Sequence, residues 1–91
     1  MSEFTIKAGF IEYDVNFITY GQNGFVTSNC NSIAFTNVGS NPVTIDNTLV
    51  LQQNQSLAIE GNAGEIINKQ FLITFSGAGT NNLVTIKKNY F

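Results

Sequence analysis

The chain has no histidine, no arginine and no tryptophan, and only one cysteine, one proline and one methionine. Each gap removes a class of chemistry. Without an imidazole there is no Ser–His–Asp or Cys–His relay. Zinc sites are built from His and Cys clusters, and none can be assembled here. Cys30 has no second thiol to pair with inside the chain, and in the polar stretch Thr27–Ser32 it reads as a small buried filler. The cations Lys7, Lys69, Lys87 and Lys88 are too scattered for the clustered footprint a nucleic acid needs. Lys87-Lys88 beside Tyr90-Phe91 comes nearest and reads as a solvated strand end. No apolar run approaches the ~20 residues of a membrane-spanning helix. The start, Met1-Ser2-Glu3-Phe4, lacks the charged and apolar regions of a signal peptide, so synthesis in a cytoplasm is expected.

Charge is also scarce. Charged residues make up 11% of the chain and the net charge is −2, against about 25% charged residues in ordinary soluble domains. Asn, Thr, Ser and Gln carry the polar share. Apolar residues, at 43% of the 91 positions, suffice for one core and one domain. A surface with so few charges is poorly protected against association. Much of it is therefore expected to be covered by copies of the chain or by a partner.

What is present is the strand period. No window carries apolar residues at helical spacing, whereas alternation recurs throughout. Strands are predicted over Phe4–Ile6, Ile11–Phe17, Ser32–Val38, Val43–Ile45, Thr48–Leu51, Ser56–Ile59, Gln70–Phe75 and Leu83–Lys87. In Ile11–Phe17 the odd positions are apolar and are expected to face a core. Asn23-Gly24 predicts a hairpin turn, because both residues tolerate positive φ. Seven to nine short antiparallel strands with frequent turn signals predict an all-β fold, a single β-sandwich of jelly-roll or immunoglobulin-like type. Residues 1–9 read as an N-terminal arm and 88–91 as a C-terminal tail.

The candidate sites are few. Glu12 and Asp14 lie two apart on a strand and share a face, the one spacing with acid–base potential. A solvated strand face explains them better. Glu60, Asn62 and Glu65 bracket a glycine loop that could offer oxygen ligands, without the regularity of a calcium loop. Gly77-Ala78-Gly79-Thr80 lies between two strands, where a phosphate cradle needs a helix to follow, and reads as a hairpin loop. No catalytic residue, cofactor, metal or small-molecule substrate is expected.

Eight Phe and three Tyr are generous for this length. Strict alternation puts Phe10 and Ile18 on the polar face of the Ile11–Phe17 strand, which calls for a bulge or a covering partner. Tyr90 and Phe91 have little reason to be aromatic in a free tail. These four residues are the predicted assembly contacts. The sheet edges have one Pro and few charges to blunt them, which also favours pairing with other chains.

The segment Phe35-Thr36-Asn37-Val38-Gly39-Ser40-Asn41-Pro42-Val43-Thr44-Ile45 is followed by Leu49-Val50-Leu51-Gln52-Gln53-Asn54-Gln55-Ser56-Leu57-Ala58-Ile59. Together they resemble a common sandwich module, with Gln53-Asn54 standing where that module usually has Pro-Gly. With Glu60–Glu65 and Gly79–Ile86 the resemblance extends to small virion proteins of bacteriophages infecting Bacteroidetes-type hosts, over about residues 33–88. It implies a non-enzymatic capsid-associated, decoration or spike-base component, located in the virion and assembling with itself and other virion proteins. A binding module for a host-surface glycan or protein is the alternative, with the loops Gly21–Gly24 and Ser76–Asn81 carrying recognition.

Overall fold

The computed structural model describes residues 13–62 and 64–90. The predicted strand Phe4–Ile6, the arm 1–9, Phe10, Glu12 and Phe91 lie outside the described residues. Within them the chain is all-β, with strands β1 (Tyr13–Tyr20), β2 (Gly24–Thr27), β3 (Ser32–Asn37), β4 (Val43–Ile45), β5 (Leu49–Leu51), β6 (Ser56–Ile59), β7 (Gln70–Phe75) and β8 (Leu83–Tyr90). They form two antiparallel sheets of order β1-β8-β3-β6 and β2-β7-β4-β5.

The pairing is nested. The first strand pairs with the eighth, the second with the seventh, the third with the sixth and the fourth with the fifth. Such a pattern is one long hairpin rolled up on itself, the jelly roll. An immunoglobulin-like order would divide the strands differently. Only β4 and β5 are joined as a hairpin within one sheet. There the Thr48 N–H donates to the Ile45 carbonyl at 3.1 Å. Asp46 and Asn47 both sit at φ 55, the left-handed pair that a type I′ turn requires.

Every other connection crosses between the sheets, which corrects two expectations. Asn23-Gly24 is not a hairpin turn: neither residue has positive φ, and Gly24 opens β2, a strand the sequence pattern did not reveal. The loop 76–82 also crosses, from β7 to β8. Its glycines are required by a close approach. A Cβ on Gly79 would lie 2.1 Å from Ser40 Oγ, and one on Gly77, at φ 106, would lie 2.6 Å from Asn41 Oδ1.

The core fills the space between the sheets. Ile33, Phe35 and Leu83 of one sheet meet Val26, Val43, Phe71 and Ile73 of the other. Phe35 and Phe71 pack edge-to-face, with centroids 5.3 Å apart. Thr85 stands in the same inner layer, fully buried, and its Oγ1 has no hydrogen-bond partner among the described residues.

Two further corrections concern the long outer pair of strands. β1 pairs with β8 in an unbroken register from Tyr13↔Tyr90 to Tyr20↔Leu83, so no bulge intervenes. Tyr20 packs on the core and Ile18 stands opposite buried Thr85, whereas Phe17 is 70% exposed. The even positions therefore face inward and the odd ones outward, the reverse of the expectation. Alternation alone could not choose, because a one-residue shift exchanges the two faces. Residues 88–90, read as the start of a tail, instead continue β8.

Candidate assembly face and a groove between the sheets

The outer face of the β1-β8-β3-β6 sheet is the most distinctive surface of the described residues. Register aligns Phe17 with Ile86, Ile86 with Ala34, and Ala34 with Ala58. One apolar row thus runs across all four strands. Val84 and Val15 extend it on either side, on β8 and β1. Phe17 stands high at one end of the row. At the other end the small side chains of Ala34 and Ala58, walled by Ile86, Ser32, Glu60 and Lys88, leave a shallow trough of about 190 Å³. The polar margin includes Thr36 Oγ1 and Ser56 Oγ, 2.9 Å apart.

A second feature lies where β1 leaves one sheet and β2 enters the other. Residues 19–26 and Ile73 line an open groove of about 530 Å³. Tyr20 and a 63% exposed Phe25 supply aromatic surface. Among the described residues no charged side chain lines it. Asn23 is held at its rim, its Oδ1 accepting the Phe75 N–H at 2.8 Å.

The loops Gly21–Gly24 and Ser76–Asn81 do lie together at this end, joined by Asn81 Nδ2 donating to the Gly21 carbonyl at 3.4 Å. Amides hold the whole end together. Buried Asn37 donates to the Asn41 and Leu51 carbonyls, at 2.8 and 2.9 Å, and accepts the Gly39 N–H. Asn41 Nδ2 donates to Asn81 Oδ1 at 2.6 Å, and its Oδ1 accepts the Gly79 N–H. At the opposite end Asn31 Nδ2 donates to the carbonyls of Asn62 and Glu65. Three of the amides, Asn31, Asn37 and Asn41, are buried and satisfy loop backbone that a sandwich with crossing connections would otherwise leave unpaired, while most Asn and Gln side chains stay on the surface, as the composition implies.

Of the four predicted contact residues, Phe10 and Phe91 lie outside the described residues. Tyr90 ends β8, opposite Tyr13. Ile18 is half-buried on the inner side, so it does not belong to the outer band. The band residues Val15, Phe17, Ala34, Ala58, Val84 and Ile86 were missed. Their signal was present in β8, where Leu83, Val84 and Ile86 make both faces apolar.

No protein family, curated protein or solved structure matches the chain.

The remaining candidates have structural roles. Glu65 turns one carboxylate oxygen onto the Asn62 N–H at 2.8 Å, and no three His, Cys, Asp or Glu residues converge among the described residues. Asp14 stands across from Asn89 on β8. Lys87 and Lys88 sit on opposite faces of β8, and Lys87 Nζ reaches the Thr27 carbonyl in the other sheet. Cys30 is fully buried, and burial pushes its thiol up, away from the reactive thiolate. Burial likewise raises Tyr20. Among the described residues no helix is long and apolar enough to cross a membrane.

Proposed function

We propose that the chain is a non-enzymatic structural protein that works by assembling with copies of itself and with other coat components, as a bacteriophage virion protein does. The observation that carries this reading is the outward-facing apolar row from Phe17 to Ala58, exposed at both ends and half-buried at Ile86 and Ala34. An apolar band spanning a whole sheet is costly to leave in water and marks an interaction surface. The jelly roll supports the reading by analogy, since viral coats use it widely. Scarce surface charge supports it too, because little opposes close approach of identical molecules. Sedimentation velocity over a range of concentrations tests it. Mass should rise with concentration above that of the 9.9 kDa monomer. A mass that stays monomeric up to about 1 mM, beyond the weakest useful affinities, overturns it.

The groove favours a second reading, a module for a neutral host-surface glycan. Saccharides need aromatic faces to stack on and amides to hydrogen-bond, and Tyr20, Phe25, Gln22 and Asn23 supply both without a charge. Amide chemical shifts of Gln22–Phe25 should move when neutral oligosaccharides are added. Shifts that stay fixed across a panel of such sugars retire this reading.

A further inference from the structure

We infer that the outer face of the β1-β8-β3-β6 sheet is self-complementary, and that two copies pack through it about a two-fold axis with each Phe17 seated in the other's Ala34–Ala58 trough. This rests on the assembly reading and specifies its contact.

The geometry follows from the register. Phe17, Ile86, Ala34 and Ala58 occupy one row across the four strands, in sheet order. A two-fold axis parallel to the strands, running between β8 and β3 and midway between the two faces, reverses the order of that row. It sets Phe17 over the partner's Ala58 and Ile86 over the partner's Ala34. The tall end of each row meets the low end of the other. Strand directions stay aligned, as in ordinary sheet-on-sheet packing at about 10 Å. An isologous contact of this kind needs one patch that matches itself, and a knob and a hole at equal distances from the axis provide it.

The neighbouring rows agree. Thr19, Val84, Thr36 and Ser56 lie on one side. Applied to that row, the same axis puts Thr19 over the partner's Ser56 and Val84 over the partner's Thr36, with hydroxyls at the rim. On the other side Lys88 aligns with Val15 and Ser32, and Glu60 follows Ile59 on β6. There the axis carries Lys88 to within one strand spacing, about 4.8 Å laterally, of the partner's Glu60. Opposite charges therefore meet at the edge of an apolar centre, the usual anatomy of a specific contact.

The contact is modest. Four strands of up to eight residues give a flat footprint of roughly 500 Å² per partner, below the ~800 Å² of a standard interface. A Kd in the micromolar range or weaker is expected for an isolated pair, reinforced where many copies are held together.

The test moves the knob. Phe17→Ala removes it and Ala58→Phe fills the hole; each should weaken self-association at least about tenfold by sedimentation. The double variant moves the knob to the other end of the row and should return to within about threefold of the starting Kd. Far-ultraviolet circular dichroism of each variant checks that the fold is kept. Should Ala58→Phe not fold, the smaller Ala58→Leu replaces it, alone weakening association and together with Phe17→Ala restoring it. Singles that leave association unchanged, or a double weaker than either, overturn this arrangement while the assembly reading stands. A wild-type protein monomeric at every concentration overturns both.

Discussion

The two outer faces of the sandwich are built from the same residue types and differ in how these are arranged. On the β2-β7-β4-β5 sheet Phe25 pairs with Leu72, but the row then meets Asp46, whose Oδ1 accepts the Leu72 N–H at 2.9 Å and whose Oδ2 lies 2.8 Å from Lys69 Nζ. Val50 is cut off from that pair by Thr44 and Thr74. On the β1-β8-β3-β6 sheet nothing interrupts the row, and Val84 and Val15 widen it. Apolar content alone does not make an interaction surface. Contiguity does, since water is released cooperatively only where neighbouring apolar groups are covered together.

The change that should erase the comparison altogether is Asn37→Leu. The amide ties the end of β3 to β5 and to the loop between β3 and β4, so its loss removes the donor that holds the buried Asn41 and Leu51 carbonyls, whereas the Gly39 N–H keeps the Asn82 carbonyl at 3.1 Å. Chemical denaturation should show a loss of about 3 kcal/mol or more. A loss below about 1 kcal/mol would mean that water reaches these groups.

The sharpest comparison is Phe17→Lys against Phe25→Lys. The two rings are 70% and 63% exposed, on opposite outer faces. Monomer stability should change little in either, within about 0.5 kcal/mol. Self-association should drop by more than about tenfold for the first and stay unchanged for the second. Equal effects would remove the distinction between the faces.

Thr85→Val addresses the layer between them. It replaces a buried hydroxyl that has no partner among the described residues with a methyl of similar size. A gain of about 1 kcal/mol in thermal or urea unfolding is expected, with association untouched. Destabilisation would reveal a partner for Oγ1.

The smallest effect belongs to the ion pair on the interrupted face. The Lys69 ammonium, then the Leu72 N–H, hold the Asp46 carboxyl below the usual carboxylate range. A depressed folded value means that the stabilisation is complete above the unfolded value, about 4, and disappears as pH falls through the lower folded one. The difference in melting temperature between wild type and Asp46→Asn should therefore be small near neutrality and vanish toward about pH 3. A difference that grows on acidification would contradict this assignment.

Strand alternation and turn residues were enough to read the all-β class and most strand positions, because a period of two leaves its mark wherever one face is buried. β2 escaped because it begins at the glycine of Asn23-Gly24, a pair that a hairpin turn would also explain. The outer band escaped because β8 is apolar on both sides and β1 carries Val15 and Phe17 on one side but Ile18 and Tyr20 on the other. Sequence could show that two faces were apolar there, and not which one turned outward.

The chemistry that is missing was determined by the sequence alone. A chain without histidine or arginine, and with one thiol, cannot acquire them by folding. The scarcity of charge was equally plain. Which residues form the outer surface was decided only by the tertiary structure. The nested pairing fixes the register of β1 against β8, and that register sends Phe17 out and Ile18 in. The same folding brings Phe17 into line with Ala58, some forty positions along the chain. A row assembled from four strands is a property of their alignment, and no local stretch of sequence contains it.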